Sequence, residues 1–494
     1  RYYQCFADQK NSADYAYAFG VNEFVLCASA YQPWIDKYPG STAGGKHYCL
    51  NRNNTYWEYS RPFWDYQARC SALMRKGVPV VDICVYLGQN PPVKLVTYRL
   101  PEIPEGYDFD VCTAEALVGR TMAVDGRLTL PTGISYSLLV IQRNNDMPLH
   151  VLRHIAGLVK GGVVVCGPRP DGSDSLNDKA ESEEYRALVY ELWGELTTVS
   201  QIRKVGKGKI YENIPLSEVL KYENIRPDIA IKSGNTAKDK VYFVHRRLSD
   251  ADVYFLNNHS DRAFHDTIRL RTDARQAEYW DAVTGQRYMI PVKASGEKGM
   301  LLNLTLAPRE SGFIVTSNNQ ATGLLPRIAD VQETITPIEG SWNVYFDPRW
   351  GGPGKVVFDE LIDWTVHADT GIRYYSGTAV YHKELNLAMP AQNERLLLRF
   401  PRLGSLARVW VNGKEVVTVW CSPWEADITS YVHEGKNNLK IEVVNSLMNR
   451  MIGDASLPES ERFTYAYPQI VTPTDKLVPS GIMEQLNLVY RQYQ

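Results

Sequence analysis

Long apolar runs, an excess of one charge sign and paired cysteine motifs are all missing from this chain of 494 residues. No stretch approaches the ~18–20 apolar residues that cross a bilayer. The longest, Val78 to Leu87, is already broken by Asp82, so no membrane span is expected. Lys plus Arg number 54 and Asp plus Glu 56, a formal charge of −2. That lacks the strong basic excess of a general nucleic-acid binder, and no nucleic-acid partner is expected. Cys-x-x-Cys does not occur among Cys5, Cys27, Cys49, Cys70, Cys84, Cys112, Cys166 and Cys421, which excludes zinc-ribbon and thioredoxin readings. H-E-x-x-H, G-x-S-x-G, the P-loop and G-x-G-x-x-G are absent too. The chain opens at Arg1 with no charged segment followed by an apolar one, so no signal peptide is visible.

What is present is ordinary globular composition: 44% hydrophobic and 22% charged residues. At about 150 residues per domain the length suggests roughly three domains. Tyr (31) and Trp (11) are abundant. They suit β-rich cores, and they also suit surfaces that stack on the flat faces of sugars.

Along the chain, VNEFVLCAS (21–29) reads as a short strand and FWDYQARCSALMRKG (63–77) as a helix stopped at Gly77. VPVVDICVYLG (78–88), YSLLVIQ (136–142) and GGVVVCG (161–167) are continuous apolar runs, as in parallel strands buried on both faces. MPLHVLRHIAGLVKGG (147–162) has helical periodicity between the last two. An open, doubly wound α/β module is therefore expected over 78–206. Short alternating segments then predict a β-sandwich over 207–318. A linker at 319–330 and a second all-β block from 331 follow, with Asn412-Gly413 as a hairpin turn.

His150 and His154 stand four apart on the predicted helix, but no third metal ligand accompanies them, so packing or surface roles are expected. Asp171, Asp174 and Asp178 lack the spacing of a calcium loop and read as a solvated acidic loop. The most site-like stretch is the long aromatic loop 31–60. Trp34 and Trp57 supply flat faces. Gln32, His47, Arg52 and Asn53 supply planar donors and acceptors that match sugar hydroxyls. These six are the candidate substrate-binding residues. Glycoside cleavage needs two carboxyl groups. Glu58 and Asp65 flank the loop, but neither ends an apolar strand, and no catalytic pair can be named.

GVNEFVLCASAYQPW (20–34), HYCLNRNNTYW (47–57), GYDFD (106–110), LVKGGVVVCGPRP (158–170), FVHRRLSDADVYFLNN (243–258), YWDAVTG (279–285), FDPRWGGPGKVVFDELIDWT (346–365), VWVNGKEV (409–416) and NRMIGD (449–454) occur in that order. Together they resemble the C-terminal part of glycoside hydrolase family 106, the α-L-rhamnosidase-type enzymes. The resemblance implies a multidomain α/β plus all-β chain. Residues 1–77 would be the end of a (β/α)8-type catalytic barrel, 78–206 a Rossmann- or flavodoxin-like module, 207–318 a β-sandwich, and 331–494 a jelly-roll, galactose-binding-like sandwich. It also implies inverting hydrolysis of terminal sugars on plant or complex polysaccharides by two acidic residues, with calcium nearby. At least one of those acids is expected upstream of Asn22. The family often has Glu where Gln89 stands here, and an amide cannot act as a base. A periplasmic or extracellular location is expected for such an enzyme. The alternatives are a non-catalytic carbohydrate-binding protein derived from one, and a structural or adhesion scaffold.

Overall fold

The computed structural model describes residues 4–27, 30–45, 50–88, 100–142, 146–170, 172–173, 178–233, 241–319, 323–327 and 331–492. Among these, six α-helices precede residue 230: α1 (Phe6–Tyr17), α2 (Arg61–Met74), α3 (Ala114–Arg120), α4 (Leu149–Lys160), α5 (Asp178–Trp193) and α6 (Leu216–Tyr222).

The three apolar runs become neighbouring parallel strands, Ile83–Tyr86, Leu138–Ile141 and Val164–Cys166, in which every residue is buried. Cys84, Tyr86, Leu139, Ile141 and Val165 face one core layer. Ile83, Val85, Leu138, Val140 and Val164 face the other. This is period-two alternation in strands covered on both sides, which is why their sequences are apolar throughout. Phe109–Cys112 extends one edge in parallel; Gly208–Glu212 and then antiparallel Gln201–Val205 extend the other. Helix α4 buries Leu152, Ile155, Ala156 and Val159 at helical spacing. His154 bonds Thr121 Oγ1 at 3.0 Å, while His150 is exposed.

The α/β module exceeds its expected limit at 206. Gly208–Glu212 pairs with Val164–Cys166, and α6 packs on the same layer. The tight turn at Gly206 (φ 60°) closes a hairpin at the sheet edge, and that hairpin pattern resembles the start of a sandwich. Val78–Pro79, expected to open this module, instead pairs with Arg246–Arg247.

From Ile229 a seven-stranded and a four-stranded sheet enclose a core that includes Tyr254, Ile268, Leu302 and Ile314. A cluster of charges joins this sandwich to the α/β module. Arg271 Nη2 lies 2.6 Å from both Asp82 and Asp228. His245 sits between Asp228 and Asp252, 3.0 Å from each. The terminal domain is a second two-sheet sandwich, six strands against four, built around Trp342, Trp364, Tyr375 and Tyr381. Asn412 (φ 51°) and Gly413 (φ 78°) form the predicted hairpin turn between Leu406–Val411 and Lys414–Val419.

Helices α1 and α2 fill the space between the sandwiches. Phe6, Tyr17, Phe63, Tyr66 and Cys70 pack against Phe255 and Phe313 on one side and Trp420 and Val444 on the other. Lys10, buried at 1% exposure, bonds Asp14 at 2.7 Å and Ser311 at 2.8 Å. Tyr66 donates to the same Asp14. Residues 21–27, expected as part of a strand, are exposed and lie in no strand, and none among the described residues pairs with them. Val25 is 96% exposed.

Candidate functional site

Loop 30–60 is held by the terminal sandwich. Pro39–Ser41 pairs in parallel with Tyr465–Tyr467, and backbone bonds continue the join at both ends: Tyr465 N to Tyr38 O and Thr42 N to Tyr467 O, each 2.8 Å. Thr42 Oγ1 donates to Pro468 O at 2.7 Å, and Thr55 Oγ1 to Asn445 O at 2.5 Å. Tyr38 meets Trp350 edge-on at 5.5 Å between ring centres.

Two candidate binding residues brace this loop from within. The Gln32 amide bonds Ser41 through both of its atoms, Nε2 to Ser41 O at 2.8 Å and Ser41 N to Oε1 at 2.9 Å. Gly40 (φ 74°) permits that approach, since a Cβ there would lie 2.4 Å from Gln32 Oε1. Asn53, 3% exposed, donates Nδ2 to Lys37 O at 3.1 Å and Pro39 O at 3.2 Å. Both amides therefore bond the backbone of the loop, and Asn53 Nδ2 also reaches Gln32 Oε1 at 3.3 Å. These bonds hold the backbone of the loop in place.

The remaining candidates lie at the seam. Trp34, half-buried, meets Tyr465 edge-on at 5.0 Å, and the Lys37 ammonium lies 4.6 Å over the same Tyr465 ring. Arg52 is exposed and donates from Nη2 to Trp34 O at 3.2 Å and to Gln32 O at 3.5 Å. Trp57 is half-buried in the short helix Trp57–Tyr59. Tyr31 at 83% and Tyr467 at 64% exposure extend the aromatic surface. His47 and Gln89 lie outside the described residues, as do Asp171, Asp174 and the side chain of Asp178.

Neither flanking carboxylate is buried. Glu58 is exposed, and Asp65 is 47% exposed beside Arg61. Among the described residues no group of three or more His, Cys, Asp or Glu side chains comes together to hold a metal.

Next to the segment that leads into Tyr465–Tyr467 lies a buried pair that sequence reasoning did not single out. Arg450 is bonded to Asp454 at 3.0 Å and sits between the Tyr374 and Phe463 rings. Asp454 also accepts from the Thr464 backbone N–H and hydroxyl, both at 2.7 Å. The pair thereby anchors the segment that leads into Tyr465–Tyr467. Its only sequence signal is the Arg/Asp spacing of four within NRMIGD.

Residues 1–293 match the family model for glycoside hydrolase 106, described as α-L-rhamnosidase. The chain belongs to this family. Residues 329–490 match the sugar-binding domain of glycosyl hydrolases family 2, which is the sandwich that grips loop 30–60. The fold superposes on a rhamnosidase from Novosphingobium sp. PP1Y with a TM-score of 0.90 and 29% identity, covering 99% of this chain and 46% of that one. A putative beta-glucuronidase of Formosa agariphila is 22% identical, over 92% of this chain and 57% of its own length. The chain thus spans about half the length of these relatives.

Proposed function

We propose that the chain is the C-terminal portion of an α-L-rhamnosidase-type glycoside hydrolase acting on terminal sugars of complex polysaccharides. In this reading one carboxylic acid protonates the leaving oxygen and a second carboxylate activates water, giving inversion. Both acids would come from parts of the parent protein beyond this chain. Residues 1–77 would complete its barrel, a role supported by the exposed apolar side chains of Val21, Phe24, Val25 and Leu26. Acting on a polysaccharide too large to enter the cell implies a periplasmic or extracellular setting.

The observation that carries this reading is the strand pairing of Pro39–Ser41 with Tyr465–Tyr467. In this reading Trp34, Arg52 and Tyr465 form a ledge beside that pairing, where an aromatic edge and an exposed guanidinium suit a sugar ring and its hydroxyls. Trp34→Ala should weaken binding of a neutral rhamnose-terminated oligosaccharide about tenfold by calorimetry, at nearly unchanged thermal midpoint. Unchanged affinity would overturn the ledge assignment. The exposed Glu58 and half-exposed Asp65 favour one second reading, a carbohydrate-binding protein without hydrolytic activity. It predicts the same Trp34-dependent binding, with no sugar released even by the full-length protein.

A further inference from the structure

Two motifs, FDPRWGGPGKVVFDELIDWT (346–365) and NRMIGD (449–454), lie far apart in the chain, and the fold brings them together at Arg450. The first motif meets it through Gly351. A Cβ there would lie 3.0 Å from both Arg450 Nη1 and Phe463 Cε2, and its φ of 76° itself favours glycine. At the other end of the guanidinium stands Gly453, where a Cβ would lie 2.6 Å from Nη2. Glycine on both sides keeps side chains off the two ends of one arginine.

That arginine is 5% exposed, and the fold uses only part of it. Its Nε donates to Asp454 at 3.0 Å. Nη1 and Nη2 have no hydrogen-bond partner among the described residues, and neither is among the enclosed polar atoms that lack one. Water or a ligand therefore reaches them. The exposed Phe463 ring borders these donors, its centre 5.0 Å from the guanidinium carbon, and Tyr374 lies 5.9 Å from it. Asp454 is buried and balances the charge of Arg450, so a second anion gains little here. Neutral hydroxyls gain more. Adjacent hydroxyls of a pyranose offer two oxygens to a forked donor, and its C–H face suits an aromatic ring.

We propose that Arg450 and Phe463, beside the Gly351 turn, form a second carbohydrate subsite, which takes a further neutral sugar unit of the oligosaccharide held on the Trp34 ledge. Thr464 links the two places. Its N–H and hydroxyl both bond Asp454 at 2.7 Å, and it stands between Phe463 and Tyr465 in the chain. The choice of a sugar rests on the proposed function; the open donors of Arg450 do not.

The test is calorimetric titration of the full chain with two neutral probes, rhamnose and a rhamnose-terminated trisaccharide. The trisaccharide should bind about tenfold tighter. Arg450→Lys keeps a cation facing Asp454 but loses the planar fork. Phe463→Ala removes only an exposed ring. Each should cut the gain with length to about threefold or less, with thermal midpoints close to the parent's. Where Arg450→Lys does not fold, Phe463→Ala decides alone. Equal binding of the two probes by the parent chain, or a full gain surviving in the folded variants, would overturn the subsite. Rhamnose binding that depends on Trp34 without any gain with length would sink this inference alone. No binding of either probe would sink the proposed function with it.

Discussion

The α/β module and loop 30–60 are shaped by contacts of opposite range. In the module, Ile83–Tyr86, Leu138–Ile141 and Val164–Cys166 are apolar because both faces of their own sheet are covered by helices close in sequence. The loop takes its form from the terminal sandwich, with Thr42 bonded to Pro468 across 426 positions. Periodic burial makes the first kind of structure robust and interchangeable. The second kind depends on a few saturated polar groups, so single changes there should act at a distance.

The strongest way to break that contrast is at Lys10. Its buried ammonium joins α1 to Ser311 of the first sandwich and to Asp14, which Tyr66 of α2 also contacts. Burial would push Lys10 down, but the Asp14 carboxylate outweighs this and holds it above its usual value. Lys10→Ala strands the Asp14 charge at 1% exposure and should cost about 3–5 kcal/mol. A core truncation in the module, Leu152→Ala in α4, should cost about 2–5 kcal/mol. Removing both charges in Lys10→Met/Asp14→Leu should recover much of the loss. Thermal unfolding of the four proteins checks the ranking, and a near-neutral Lys10→Ala would show that the polar join is dispensable.

Asn53→Ala comes next. It frees the carbonyls of Lys37 and Pro39 inside the loop, at about 1–3 kcal/mol. Because Pro39–Ser41 and Tyr465–Tyr467 are paired, amide exchange should rise in both segments together, with strands of the α/β module unchanged. Faster exchange at 39–41 alone would mean that the terminal sandwich does not depend on the loop.

The same contrast explains what was legible in the sequence. Continuous apolar runs, the periodicity of α4 and the Asn412-Gly413 turn each carry local signals, and each forms where expected. At Gln32 and Asn53 the sequence shows only an amide, which suits a sugar hydroxyl and a backbone group equally, and the fold shows the backbone groups that lie near. Val78–Pro79 and residues 208–222 were misplaced because a hairpin or a short strand does not state which sheet it joins. Nothing local to Lys10 and Asp14 signals that two sandwiches close over this pair.

Asp108 offers the smallest test, at the seam between the α/β module and the first sandwich. Burial, reinforced by the nearby Asp110 and Asp228 carboxylates against a bond from the Phe109 N–H, raises it from 3.8 to about 7. The folded chain therefore keeps a proton that the unfolded chain releases between about pH 4 and pH 7. The sign follows: this group's contribution is complete below the unfolded value, declines as pH rises through the window, and is level above it. The decline should be roughly 1 kcal/mol, because Asp108 remains partly solvated. Asp108→Asn cannot ionise, so its thermal midpoint should stay level between pH 5 and pH 8 while the parent's falls. Parallel profiles would show that Asp108 is solvated well enough to ionise without cost, and that the seam is looser than the packed sheets on either side of it.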